Sequence, residues 1–112
     1  MKKNLLLSFL LSTLFSHAQT FQKLYGGNNY DRANSVVHTF DGGFIAGGSG
    51  FSFDSINSWN TGYLVKIDAN GDSLWTKVFN SVGDNSIECV RQTLDSGYVV
   101  TGYLRNPNGR YD

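Results

Sequence analysis

The stretch Phe40-Asp41-Gly42-Gly43-Phe44-Ile45-Ala46-Gly47-Gly48 returns later in the chain as Leu94-Asp95-Ser96-Gly97-Tyr98-Val99-Val100-Thr101-Gly102, displaced by 54 positions. The same displacement lays Phe21 on Trp75, Lys23 on Lys77, Tyr25 on Phe79, Val36 on Val90 and Thr39 on Thr93. Self-similarity at a fixed period marks propellers and other arrays, whose units bury their apolar faces only by stacking on one another. No bulk property constrains the chain as tightly.

Each copy reads as a tight turn feeding a buried strand. Residues 35–40 are β-branched and aromatic and end at Asp41-Gly42-Gly43, a hairpin signal because glycine supplies the positive φ such turns require. Residues 44–48 form the returning strand, and their small side chains predict crowding by neighbouring backbones, as nearest the axis of a propeller. Residues 49–60 read as a long loop. Residues 63–67 then alternate, with Tyr63, Val65 and Ile67 on one face and Leu64 and Lys66 on the other. Asn70-Gly71 turns the chain back into residues 73–79, a strong hairpin pattern. A loop over 80–85, strands at 87–93 and 98–103 and a further loop begin the second unit. Residues 21–25, alternating apolar and polar, predict an opening strand equivalent to 75–79.

The expected fold is all-β, with antiparallel four-stranded meanders as partial propeller blades, each strand next to its chain neighbour. The units span about 21–74 and 75–112, the second ending within a repeat. Closure takes typically four to eight blades. The expected behaviour of so few repeats is therefore exposed edges and self-association, or stacking on further blades of the same chain.

Residues 1–18 are set apart as a signal peptide helix. Lys2 and Lys3 form a positive start, residues 5–15 an apolar run, and Ser16-His17-Ala18 a small-x-small site, which places cleavage between Ala18 and Gln19. The run is too short for a transmembrane anchor, and no cysteine follows the small residues to carry a lipid. The expected product is secreted or held at the cell surface. Removing Lys2 and Lys3 from nine basic residues leaves seven against nine acidic ones, scattered singly, which argues against nucleic acid as a partner.

Taken together, the Trp/Phe-x-Lys-x-aromatic start, Thr-x-Asp-Gly-Gly-aromatic-Ile-x-x-Gly and aromatic-Leu-Val-Lys-Ile-Asp-x-x-Gly-Asp-x-Leu-Trp patterns resemble the repeat of large secreted Bacteroidetes proteins. Those proteins commonly close with a type IX secretion sorting domain. The resemblance spans nearly all of residues 19–112. It departs at Ser96, which replaces the middle glycine of the turn, and in showing no sorting domain. Asp54-Ser55-Ile56 and Asp72-Ser73-Leu74 are similar to the short O-glycosylation acceptor motif of that group.

Candidate chemistry is sparse. Asp68, Asn70 and Asp72 alternate like the first ligands of a calcium loop, but Ser73 and Phe79 stand where that loop needs glycine and an acid, so a hairpin turn accounts for them better. His38 has no ligand-spaced neighbour and aligns with Gln92, and Cys89 aligns with Ser35 and reads as a small buried residue. Asp31, Asp41, Asp54, Asp84 and Asp95 could supply paired carboxylates for glycoside hydrolysis, yet Asp41 and Asp95 are equivalent turn residues. The aromatics of the strands, Phe44, Tyr63, Trp75, Phe79 and Tyr98, read mostly as core.

Phe51, Phe53 and Trp59 differ because they stand in the long polar loop, where aromatic side chains can stack on sugar rings or anchor a partner. The expected function is thus a non-enzymatic binding or structural module, in adhesion or binding of an extracellular glycan or protein, with no cofactor. The alternative is a scaffold within a larger extracellular enzyme whose catalytic residues lie outside this sequence.

Overall fold

A computed structural model describes residues 20–52 and 59–108. The expected leader helix and its cleavage point at Ala18 and Gln19 lie outside the described residues, as does Phe53. The described residues are all-β, with six strands: β1 (Asp31–His38), β2 (Phe44–Gly50), β3 (Thr61–Ile67), β4 (Ser73–Phe79), β5 (Asp84–Gln92) and β6 (Tyr98–Arg105). The first four form one antiparallel sheet in the order β1-β2-β3-β4, and β5 and β6 form a second antiparallel pair.

The hairpins form where the turn residues permit them. Between β1 and β2 the Thr39 amide donates to the Gly43 carbonyl at 2.9 Å, and Gly42 sits at φ 84°. Between β5 and β6 the Thr93 amide donates to the Gly97 carbonyl, also at 2.9 Å, and Ser96 takes the equivalent backbone position at φ 66°. A side chain in this left-handed region costs about 1–2 kcal/mol, so Ser96 carries a strain that Gly42 avoids.

Positions 54 apart make matching contacts well beyond the turns. The β1–β2 register shifts between Ala33 and Ser35, and the β5–β6 register shifts between Ile87 and Cys89. A Cβ on Gly48 would stand 1.9 Å from the Arg32 carbonyl oxygen, and one on Gly102 1.9 Å from that of Ser86. Phe21 meets Phe44 edge-on with ring centroids 6.1 Å apart, as Trp75 meets Tyr98 at 6.1 Å.

The inner strands of the first sheet, β2 and β3, are covered on both faces. On one, Ile45 and Leu64 pack against Ile87 and Val90 of β5, with Val37, Phe79, Tyr98 and Val100 around them. On the other, Tyr63, Val65 and Ile67 pack beneath Phe21, Tyr25 and Phe44. The alternation along β3 therefore sorts side chains to two faces, both dry: all seven residues of β3 are buried. Each fully buried aliphatic side chain contributes about 1.5–3 kcal/mol, so the two clusters fix the stacking.

Several sequence expectations shift. Residues 21–25 form no strand. Their counterparts in β4 have β3 as a ladder partner, whereas this segment is held through side chains: Phe21 on Phe44, the Tyr25 hydroxyl donating to the Gly71 carbonyl at 2.6 Å, and Lys23 paired with Asp72. β1 begins at Asp31 and β5 at Asp84, because pairing runs on past the bulges through polar residues that carry no alternating signal. The small-residue strand β2 lies between β1 and β3 in its sheet. Its crowding comes from the β1 backbone at Gly48 and from Ile87, whose Cγ2 would lie 2.8 Å from a Cβ on Gly47. Cys89 is only partly buried, because it sits just past the β5 bulge. Trp75 is 40% exposed, since β4 ends the sheet.

Candidate binding surface

The strand ends divide the molecule into a hairpin end, carrying the turns at 39–43, 68–72 and 93–97, and a loop end, where β1 and β5 begin and β2 and β6 finish. At the loop end Asp31 organises the chain around Ser52. Its Oδ2 accepts from the Ser52 hydroxyl and the Gly27 amide, each at 2.7 Å, and its Oδ1 from the Ser52 amide at 3.3 Å. Burial pushes the Asp31 carboxyl up, but these three donors outweigh it and leave the group below the ordinary carboxylate range. The Phe51 amide donates to the Tyr30 carbonyl at 3.0 Å, so the first loop residues are tied to the start of β1.

The other side of the loop is tied to the second sheet. The Asn60 amide donates to Asp84 Oδ1 at 2.9 Å, its carbonyl accepts from the Asn85 amide at 2.8 Å, and the Gly62 amide donates to Asn85 Oδ1 at 2.6 Å. A Cβ on Gly62 would meet that same oxygen at 2.7 Å, so only glycine lets Asn85 approach. Asn85 is buried, and its amide nitrogen finishes on the Ser81 hydroxyl at 2.9 Å. Sequence reading missed this clamp. Its one legible trace is the acid-and-amide pair Asp31 and Asn85 at the 54-residue spacing.

Of the aromatic trio, Phe51 is 38% exposed on this end, and half-buried Trp59 lines an open cavity of about 230 Å³ with Asp84, Arg105, Asn106 and Pro107. Comparison with protein-family models, with curated proteins and with solved structures finds no match. The geometry alone therefore bears on function.

The remaining candidates are occupied locally. Asp68 Oδ1 accepts from the Asn70 and Asp72 amides at 2.9 and 2.8 Å, closing its own turn, while Asp72 is paired with Lys23 and the Asn70 side chain is exposed. Among the described residues no three His, Cys, Asp or Glu side chains cluster as metal ligands. His38 stands edge-on to Phe44 at 5.1 Å. The acids divide between the two ends: Asp31 and Asp84 at the loop end, Asp41 and Asp95 in the turns, with Asp54 outside the described residues. No described helix is long and apolar enough to cross a membrane.

At the hairpin end Asp41 has a more elaborate setting. It accepts from the Thr39 hydroxyl at 2.5 Å and the Gly43 amide at 3.1 Å, and it pairs with the buried Lys66 ammonium at 2.9 Å. Thr39 first, then Lys66 and Gly43, hold its carboxyl well below the ordinary range. Lys66 also donates to the Ile67 carbonyl at 3.2 Å, so its charge is fully engaged although the residue is only 4% exposed. Asp95 repeats the Thr93 hydroxyl and Gly97 amide bonds, which lower its carboxyl too, but among the described residues no cation reaches it.

Proposed function

We propose that the chain is an exported, non-enzymatic binding module whose loop end holds an extracellular glycan or protein partner. One observation supports this reading above the others: Trp59 forms a wall of an open cavity whose other walls include Asp84 and Arg105. An aromatic face beside a carboxylate and a guanidinium suits a sugar, whose ring stacks while its hydroxyls take the polar groups. Phe51 extends the aromatic surface on the same end. The backing is rigid, since both sides of the loop are pinned by the Asp31 and Asn85 hydrogen bonds.

Export is proposed from the leader pattern of residues 1–18. Amino-terminal sequencing of the protein recovered outside the cells should begin at Gln19. For binding, an array of immobilised glycans probed with the mature chain should give signals that fall at least tenfold in a Phe51→Ala/Trp59→Ala variant, with unchanged circular dichroism. Equal signals from both proteins would remove the loop end as the contact surface.

A further inference from the structure

The turn between β3 and β4 carries an Asn-Gly pair, Asn70-Gly71. Asparagine before glycine is among the most self-reactive pairs in a polypeptide, because a following residue without a Cβ lets its amide nitrogen reach the asparagine side-chain carbonyl. We infer that Asn70 is a site of spontaneous deamidation, that the segment 21–25 restrains the reaction by clamping Gly71, and that the isoaspartate product releases that clamp.

The chemistry needs only water. The Gly71 amide nitrogen loses its proton to solvent and bonds to Asn70 Cγ; the Cγ–Nδ2 bond breaks and ammonia leaves, closing a succinimide ring. Water then opens the ring at one carbonyl or the other, giving aspartate at position 70 or an isoaspartate whose main chain runs through the former side chain. The sum is asparagine plus water to a carboxylate and ammonium, with no change of oxidation state.

The fold exposes the electrophile and holds the nucleophile. The Asn70 side chain is exposed, whereas Gly71 is buried. Ring closure requires the Gly71 N–H to be released and its peptide plane to turn toward Cγ. That N–H donates to the Asp68 carbonyl at 3.1 Å, and Asp68 Oδ1 accepts from the Asn70 and Asp72 amides at 2.9 and 2.8 Å. These bonds lie within one turn. The further restraint comes from residues 21–25: the Tyr25 hydroxyl donates to the Gly71 carbonyl at 2.6 Å, the Phe21 ring lies where a Cβ on Gly71 would meet it at 2.5 Å, and Lys23 is paired with Asp72. The β1–β2 turn makes a contrast. Its Asp41-Gly42 pair offers an ionised carboxylate engaged by Thr39, Gly43 and Lys66, which is a poor electrophile.

Isoaspartate lengthens the main chain by one carbon immediately before Gly71, so it displaces the carbonyl that holds Tyr25 and the surface that meets Phe21. The cover over Tyr63, Val65 and Ile67 then loosens. Plain aspartate keeps the main chain and adds only charge. This site lies at the hairpin end and is independent of the glycan reading.

The test follows the tryptic peptide 67–77 of the full chain by mass spectrometry during incubation in mildly alkaline buffer, with a synthetic peptide of the same sequence as the unclamped reference. The folded chain should react about tenfold or more slowly than the peptide, and Tyr25→Phe, which keeps the ring and removes one hydrogen bond, should speed it about fivefold. Ile45→Ala, which weakens the cluster on the opposite face of the sheet, should leave the rate unchanged. Equal rates in chain and peptide, no acceleration by Tyr25→Phe, or an equal acceleration by Ile45→Ala would overturn the clamp. Trypsin added to the native, aged chain should cut after Lys23 several-fold faster in the isoaspartate form than in an Asn70→Asp variant; equal cutting would overturn the release.

Discussion

β2 and β6 are built on the same local plan and end in different surroundings. Their turns, bulges and glycine contacts coincide at a 54-residue spacing, yet Ile45 is fully buried while Val99 is half exposed. The first strands show the reverse: Val36 of β1 is 63% exposed, and its counterpart Val90 of β5 is fully buried. The lesson is that local pattern sets how a hairpin closes, whereas the layer stacked on it decides which of its side chains are dry. β5 lies on β1, β2 and β3 and is covered by them; among the described residues β6 pairs with β5 alone.

Four predictions press on that comparison. The largest effect is one in which the two regions should behave alike. Valine at Gly48 or at Gly102 drives a Cβ into a backbone carbonyl at 1.9 Å in both cases, so each variant should lose about 3 kcal/mol or more in urea unfolding followed by tryptophan fluorescence. A well-tolerated Gly102→Val would show that the two bulges are not equivalent. Next, Ile45→Ala should cost about 2–4 kcal/mol, while Val99→Ala stays within about 0.5 kcal/mol. Similar losses at the two sites would mean that β6 is covered in solution.

The third prediction concerns acid. Folding lowers the Asp41 and Asp95 carboxyls, and more so at Asp41, where Lys66 adds to the turn hydrogen bonds. Their unfolded values lie near ~3.9, so the stability they contribute is complete above that pH and is lost as pH falls through the lower folded-state values. The urea midpoint should therefore drop between pH 5 and pH 2, and Asp41→Asn should flatten that drop more than Asp95→Asn does. Identical profiles for the two variants would deny Lys66 its part.

The smallest effect is a reciprocal exchange in the turns. Ser96 at φ 66° should gain about 0.5–1 kcal/mol on replacement by glycine, and Gly42 at φ 84° should lose a similar amount on replacement by serine. Changes of the same sign at both positions would break the equivalence of the turns.

Much of this architecture was legible because hairpin chemistry is local. Asn70-Gly71 and Asp41-Gly42-Gly43 announced their turns, and β4 runs from Ser73 to Phe79, the span its alternation predicts. What escaped reading was carried by polar residues whose partners are remote in sequence. The loop-end clamp joins Asn85 to Gly62 and Asp31 to Ser52, and no periodicity reports such bonds. Phe21 to Tyr25 carried the alternation of a strand, but a strand also needs a neighbour's backbone, and side chains anchor this segment instead. Only Trp59 and Phe51 of the predicted aromatic trio fall on described residues, and Trp59 turned out to share its cavity with Asp84 and Arg105, residues from strands that begin and end far along the chain.

The sequence by itself determined the hairpin turns, the strands that flank them and the 54-residue spacing of like positions, since backbone conformation and alternation depend on near neighbours. The tertiary structure alone decided which face of each strand is dry and that Lys66 lies buried against Asp41. Those outcomes depend on which layer lies over which, and stacking is a property of surfaces brought together from distant parts of the chain.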